Sequence, residues 1–276
     1  MIDIGSVWDR TTEVLGENLS AVLPLSIAAI FIPTWISSIL APLGATASSG
    51  ERLALYGAML LVSVWSMWGK LTIIALSLAP DQSRSDAART ATRRLGPAIV
   101  VGLALLILCA LLCLPVLIAL AAGGFDFQAA ATGQHPALPH GATAAFIVLY
   151  GLVMAAILLA TLPRLALVTP VIIAEGLVIG AIMRSVRLTG GVWLKVLGVF
   201  LLYLIVLWVS AMATMLVMGS LLRLIFGDGG PLSLASVLTS GLVAAVTTVF
   251  ATLAAAFVAN VYLAVRNARE TAVVPL

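Results

Sequence analysis

Charge is scarce in this sequence: Asp, Glu, Lys and Arg make up 9% of its 276 residues, against about 25% in soluble globular domains. So few charges cannot clothe a water-facing surface. With 62% apolar residues and a mean hydropathy of +1.20, the deficit identifies an integral membrane protein. Histidine and cysteine are nearly missing too, with two of each. Cys109 and Cys113 stand four apart in an uncharged run. They read as small packing residues facing lipid or a neighbouring helix, since a metal site needs more ligands than two thiols. His135 and His140 share one loop, with Asp126 the nearest acid, a set too poor to predict a metal site. There is no P-loop, no Gly-x-Ser-x-Gly and no pair of carboxylates in a plausible pocket, so neither enzyme chemistry nor a cofactor is expected. Residues 1–19 lack a basic leader, carrying Asp3, Asp9, Glu13 and Glu17 against Arg10, and no cleaved signal is expected. The net charge of +3 is not gathered on a solvated basic domain, which argues against nucleic acid as a partner.

What is present is long apolar runs. A helical span needs about 20 apolar residues, whereas a barrel strand shows about ten of alternating polarity. The unbroken runs predict an all-α integral membrane protein with six transmembrane helices, over residues 19–40, 53–79, 97–122, 142–162 or beyond, 196–222 and 237–263. Basic residues near span ends stay on the cytoplasmic side. Arg10, Arg84, Arg89, Arg93, Arg94, Arg184, Arg187, Lys195, Arg266 and Arg269 fall on one side of this arrangement, and only Arg52 and Arg223 on the other. Both termini are therefore expected in the cytoplasm.

The charged segments before the odd spans resemble one another. The first has Ser6, Asp9, Arg10 and Thr11 and closes at Gly16; the second has Ser83, Asp86, Arg89 and Thr90 and closes at Gly96 and Pro97. The third has Arg184 and Ser185 and closes at Gly190 and Gly191, without the Ser-x-x-Asp start. A Ser with an acid three residues on caps a helix start, Gly ends a helix, and Pro cannot continue one. These features predict short cytoplasmic interfacial helices, each followed by two spans. The result is three repeats in a single membrane domain, at residues 1–79, 80–174 and 175–276. Lys70 precedes Arg89 at nearly the spacing by which Arg164 precedes Arg184, so the even spans match in depth. A simpler origin competes, because any six-span protein acquires basic, Gly-punctuated loops on one side. In the first segment Val7, Trp8, Val14 and Leu15 fall near one face, with Asp9, Arg10, Glu13 and Glu17 on the other, as for a helix lying among headgroups. In the third, Gly176, Gly180 and Arg184 recur every four residues with Arg187 alongside. This reads as a small-residue stripe ending in two cations.

An ionisable group within a membrane is costly and thus a functional candidate. Lys70 and Arg164 meet that description near the cytoplasmic boundary. They either snorkel toward lipid phosphates, or face inward to pair with Glu175, Asp86 or Glu13, or line a pocket for an anionic headgroup or small anion. Pro24, Pro33, Pro115, Pro163 and Pro170 sit in or beside spans, and kinks accompany cavities as well as packing. The third and fifth spans are uncharged, and the sixth offers only Thr247, Thr248, Thr252 and Asn260, which poorly supports a proton-coupled carrier. Ala251 and Ala255 suit close helix packing. Trp8, Trp35, Tyr56 and Trp193 read as an interfacial aromatic belt, and Trp65 and Trp68 as deeper packing residues.

At Pro170-Val-Ile-Ile-Ala-Glu175, followed by Gly180, Arg184, Ser185, Leu188 and Gly190, the sequence resembles the membrane domain associated with bacterial glycerophosphoryl diester phosphodiesterases. Related six-span proteins of unknown function share the pattern. The resemblance covers residues 162–199 and implies a multi-pass protein of the bacterial inner (cytoplasmic) membrane. Some family members carry a phosphodiesterase barrel whose His, Glu and Asp residues and metal perform the hydrolysis. These residues contain no such barrel, so the catalytic label does not transfer. Glu175, Arg184 and Ser185 are the positions the resemblance carries over, with no known catalytic role.

The expectation is a non-catalytic inner-membrane protein that engages anionic phospholipid headgroups or a membrane-protein partner at its cytoplasmic face. Arg10, Arg89, Arg184 and Arg187 would carry it, with Glu175, Gly176 and Gly180. The alternative is a transporter or permease-like protein for a lipid-derived or small amphiphilic solute, with Lys70 and Arg164 at its cytoplasmic mouth. A membrane-embedded hydrolase would require His135 or His140 to meet acids.

Overall fold

The computed structural model describes residues 4–45, 47–131, 137, 139–227, 229–230 and 232–273. Every regular element among them is helical. Six helical segments are long and apolar enough to cross a membrane: Leu19–Gly44, Ser49–Leu78, Arg84–Ala122, Ala142–Glu175, Trp193–Phe226 and Leu234–Arg269. They are numbered below as the first to sixth spans. The chain is thus an all-α membrane protein, as its apolar runs dictate.

Packing is uneven around the bundle. The second and sixth spans pack along each other and the first lies against both. These three bury 39%, 33% and 33% of their most apolar stretches, whereas the third and fourth bury none of theirs. Close approach explains the difference. A Cβ on Gly69 of the second span would stand 2.8 Å from the carbonyl oxygen of Ala29 in the first, so only glycine permits this crossing. Ala256 and Ala259 are fully enclosed on the sixth span. Within lipid such small residues hold helices together by dispersion, because burying apolar surface offers little gain there.

Proline shapes the first span. Pro33 lacks the N–H that an α-helix would direct at the carbonyl of Ala29. The chain passes through a π turn at Ile27–Phe31, in which Ile32 N–H reaches back five residues to Ile27. A second π turn, Thr214–Met218, interrupts the fifth span without a proline.

The segments flanking the spans depart in part from expectation. Helix α1, Ile4–Glu17, is separate as predicted. Ser6 lies within its first turns and is not its N-cap. Its buried stripe is Val7, Thr11 and Val14, while Trp8 is exposed and tilted against Phe257 at 6.2 Å. Ser83 does cap the next helix, accepting from Asp86 N–H at 3.2 Å. That helix, however, runs unbroken from Arg84 to Ala122 through Gly96, Pro97 and Pro115. A separate second interfacial helix does not exist. In lipid the cost of unsatisfied backbone groups keeps a helix intact past a proline that would end it in water. The third charged segment forms a short helix, α2, Gly180–Thr189. Among the aromatic residues, Trp65 is exposed, not packed, while Trp68 donates to Thr92 Oγ1 at 3.0 Å.

Candidate functional site

The fourth span loses its helical path just after Pro163. Its continuous helix ends at Leu165 and resumes at Val168–Glu175. Pro170 sits in the first turn of that resumed helix, where its missing N–H costs nothing. The short helix is sunk in protein, with Leu167, Val168, Val171, Ile172 and Ile173 all buried, touching the second, third and sixth spans. Glu175 ends it and Gly176 turns the chain away.

Gly176 adopts φ +71, the left-handed conformation that closes many helices. A Cβ there would also stand 2.7 Å from one terminal nitrogen of Arg94 and 2.8 Å from its Cζ. The left-handed backbone favours glycine, and the end of the flexible Arg94 side chain occupies the space a Cβ would take. The cation rests against a helix C-terminus, where the macrodipole favours positive charge. Gly176 therefore lies in the turn before α2, and Gly180 is the first residue of that helix. The predicted stripe of Gly176, Gly180 and Arg184 is not a continuous helix face.

Within α2, Ala181, Ser185, Leu188 and Thr189 form the buried side. Ser185 Oγ donates to the main-chain carbonyl of Arg164 at 2.6 Å, satisfying an otherwise orphaned group at the end of the fourth-span helix. Arg184 turns back and its Nε reaches both carboxylate oxygens of Glu175 at 3.1 Å. The Tyr262 hydroxyl donates to Glu175 Oε1 at 3.0 Å from a fully buried ring on the sixth span. Arg266 stacks over that ring at 5.8 Å. Glu175 is thus the acid on which the resumed helix, α2 and the sixth span converge, bound by Arg184 and Tyr262, with Arg94 against the adjoining Gly176 and Arg266 over the Tyr262 ring. Its side chain is 25% exposed, so the cluster opens to the exterior at one edge.

The remaining predicted residues divide between local pairs and free surface. Arg10 pairs with Glu13 at 2.9 Å and Arg89 approaches Asp86 at 4.0 Å, both on exposed helix faces; such pairs contribute about 0–1 kcal/mol. The Arg187 side chain is exposed, and its main-chain carbonyl receives Arg269. Arg84 likewise binds the carbonyl of Ser20. Neither Lys70 nor Arg164 pairs with Glu175, Asp86 or Glu13. Lys70 follows Gly69, whose face is pressed on the first span, and so emerges on the exposed side of the second. Arg164 lays its guanidinium over Trp193 at 5.5 Å, with Nε enclosed and lacking a hydrogen-bond partner.

Two cavities adjoin this basic end. One of about 210 Å³ touches Gln82, Thr90, Tyr262 and Arg266; the other, about 270 Å³, touches Lys195 and Arg269. A larger cavity of about 810 Å³ lies at the opposite end, between the first, fifth and sixth spans. None of the three is lined by Lys70 or Arg164. Among the described residues no three His, Cys, Asp or Glu side chains group as metal ligands. His140 is exposed, and His135 lies outside the described residues.

Sequence reasoning missed Tyr262, Arg266 and Arg94 as parts of one cluster. The weak signal for the first was a polar pair, Asn260 and Tyr262, in an otherwise apolar span. Asn260 proves structural: it donates to Thr11 Oγ1 at 3.2 Å and ties α1 to the sixth span. Comparison of the chain with protein-family models, curated proteins and solved structures returned no match.

Proposed function

We propose that this chain is a non-catalytic protein of a bacterial inner membrane, with both termini cytoplasmic, that binds anionic phospholipid headgroups at its basic end. One observation carries the reading. Arg184 pairs with Glu175, Arg94 rests against Gly176 and Arg266 lies over Tyr262 beside a cavity of about 210 Å³, while Lys195 and Arg269 line a second of about 270 Å³ at the same end, a scale suited to a phosphate and its substituent. Exposed Arg89 and Arg187 extend the same positive face. Charge asymmetry supports the orientation, since basic residues are retained in the cytoplasm.

A cation near an anionic membrane surface contributes about 1 kcal/mol. Read in the Arg223→Gln background, which removes the cation of the opposite end, the double variant Arg89→Glu, Arg187→Glu leaves the Glu175 cluster intact and should lower co-purifying phosphatidylglycerol at least about tenfold. Native mass spectrometry of the detergent-released protein reads this directly. Equal retention by the Arg223→Gln protein with and without the double reversal refutes headgroup binding by this face. The permease alternative calls for a path joining the two ends, and the cavities above belong to one end or the other, so headgroup binding is preferred.

A further inference from the structure

The cavity of about 810 Å³ opposite the basic end is mainly apolar but carries seven hydroxyl side chains in its lining, and their bonding state limits what can enter. Ser38 donates to Trp35 O at 2.7 Å, Thr239 to Ala235 O at 2.7 Å, Ser240 to Val237 O at 2.8 Å and Thr247 to Val243 O at 2.8 Å. Ser220 donates to Leu216 O, and Ser236 to Gly230 O at 3.0 Å. Each hydroxyl has one proton, and in these six it is spent on a main-chain carbonyl, leaving Thr34 as the seventh hydroxyl of the lining. The wall therefore presents oxygen lone pairs and few donors. Among the described residues Arg223 is the one charged side chain of the lining, and its guanidinium makes no hydrogen bond or ion pair with any of them. The apolar part comes from Met215 and Leu216 of the second π turn and from Val243 and Ala244 of the sixth span; π turns recur at functional sites. All of this stands among spans whose outer faces are exposed and apolar.

We infer that this cavity binds a phospholipid headgroup that carries hydrogen-bond donors, in the leaflet opposite the basic end. The phosphodiester takes Arg223 as its donor and counter-charge. Headgroup hydroxyl or ammonium protons take the lone pairs of Ser236, Thr239 and Ser240. An acyl chain lies along Met215, Leu216 and Val243. A choline headgroup satisfies the cation but has no proton to give, so the site ranks phosphatidylglycerol and phosphatidylethanolamine above phosphatidylcholine. This site does not depend on the headgroup reading of the basic end.

Adducts of the full chain with each of these three lipids, at matched acyl chains, are compared by native mass spectrometry. The native protein should retain the two donor-bearing lipids about tenfold better than phosphatidylcholine. Arg223→Gln should weaken all three alike, because the phosphate is common to them. The triple variant Ser236→Ala, Thr239→Val, Ser240→Ala should keep phosphatidylcholine binding and lose the preference. The basic-end double variant Arg89→Glu, Arg187→Glu serves as control and should retain the preference, which separates this site from the other. Unchanged thermal unfolding of each variant in micelles establishes that the fold is intact, and Arg223→Gln, on an exposed side chain, provides a test if the triple variant does not fold. Equal retention of phosphatidylcholine by the native protein overturns the proposal. So does a preference that survives the triple variant, or binding indifferent to Arg223→Gln.

Discussion

The two ends of this bundle handle polar groups in different proportions. At the basic end polar side chains reach across elements: Arg184 and Tyr262 to Glu175, Ser185 to the Arg164 carbonyl, Asn260 to Thr11. At the other end the cavity hydroxyls Thr239, Ser240 and Thr247 bond back to their own helix, and although Trp35 Nε1 crosses from the first span to the Val237 carbonyl of the sixth at 3.0 Å, about 810 Å³ of space remains beside them. Cross-element bonds draw helices together and rigidify them. Back-bonded hydroxyls satisfy each helix alone and exert no pull on a neighbour. The first end is therefore built for stability, and the second leaves room for a ligand.

The sharpest way to break this contrast is Gly176→Val. It adds the steric cost of a left-handed residue, about 1–2 kcal/mol, to displacement of Arg94. Unfolding of the variant in micelles should show a loss of about 2–3 kcal/mol. A loss below 1 kcal/mol would mean that the turn relaxes and the Arg94 contact is incidental.

Glu175→Gln is expected next. It withdraws the negative acceptor from Arg184 and Tyr262, and at a quarter exposure the cost is about 2 kcal/mol, less than for a fully buried pair. A double-mutant cycle with Tyr262→Phe should give a coupling of about 0.5–1.5 kcal/mol. Zero coupling would show that the two helices do not communicate through this bond.

Thr11→Val removes the hydroxyl that receives Asn260, and about 1 kcal/mol should be lost. The smallest effect belongs to the opposite end. Ser240→Ala, with its hydroxyl bonded only to its own helix, should change stability by less than about 0.5 kcal/mol. If it instead matched Glu175→Gln, the two ends would not differ in the way described.

Much of this architecture is legible in the sequence. A run of about 20 apolar residues has one stable form in lipid, so the six spans follow from composition. Ser83 and Asp86 announce a helix start because capping is local chemistry. The break predicted at Gly96 and Pro97 does not occur, since that rule was formed for water, where freed carbonyls find solvent. The contacts of Glu175 lay further from reach. Tyr262 stands 87 positions away in the chain, and a span apolar on every face carries no periodic mark of which side meets which neighbour.

Length, hydropathy and the placement of basic residues thus determined by themselves that the chain is a six-span helical membrane protein with one positive end. The tertiary structure alone decided which cations are bound and which remain exposed. It also set Gly176 against Arg94 and held the Ser and Thr residues of three spans around a common space. Hydropathy acts on each segment independently, through its transfer from water to lipid. Pairing between spans depends on distances of a few ångströms across helices whose rotation is set only when all of them pack.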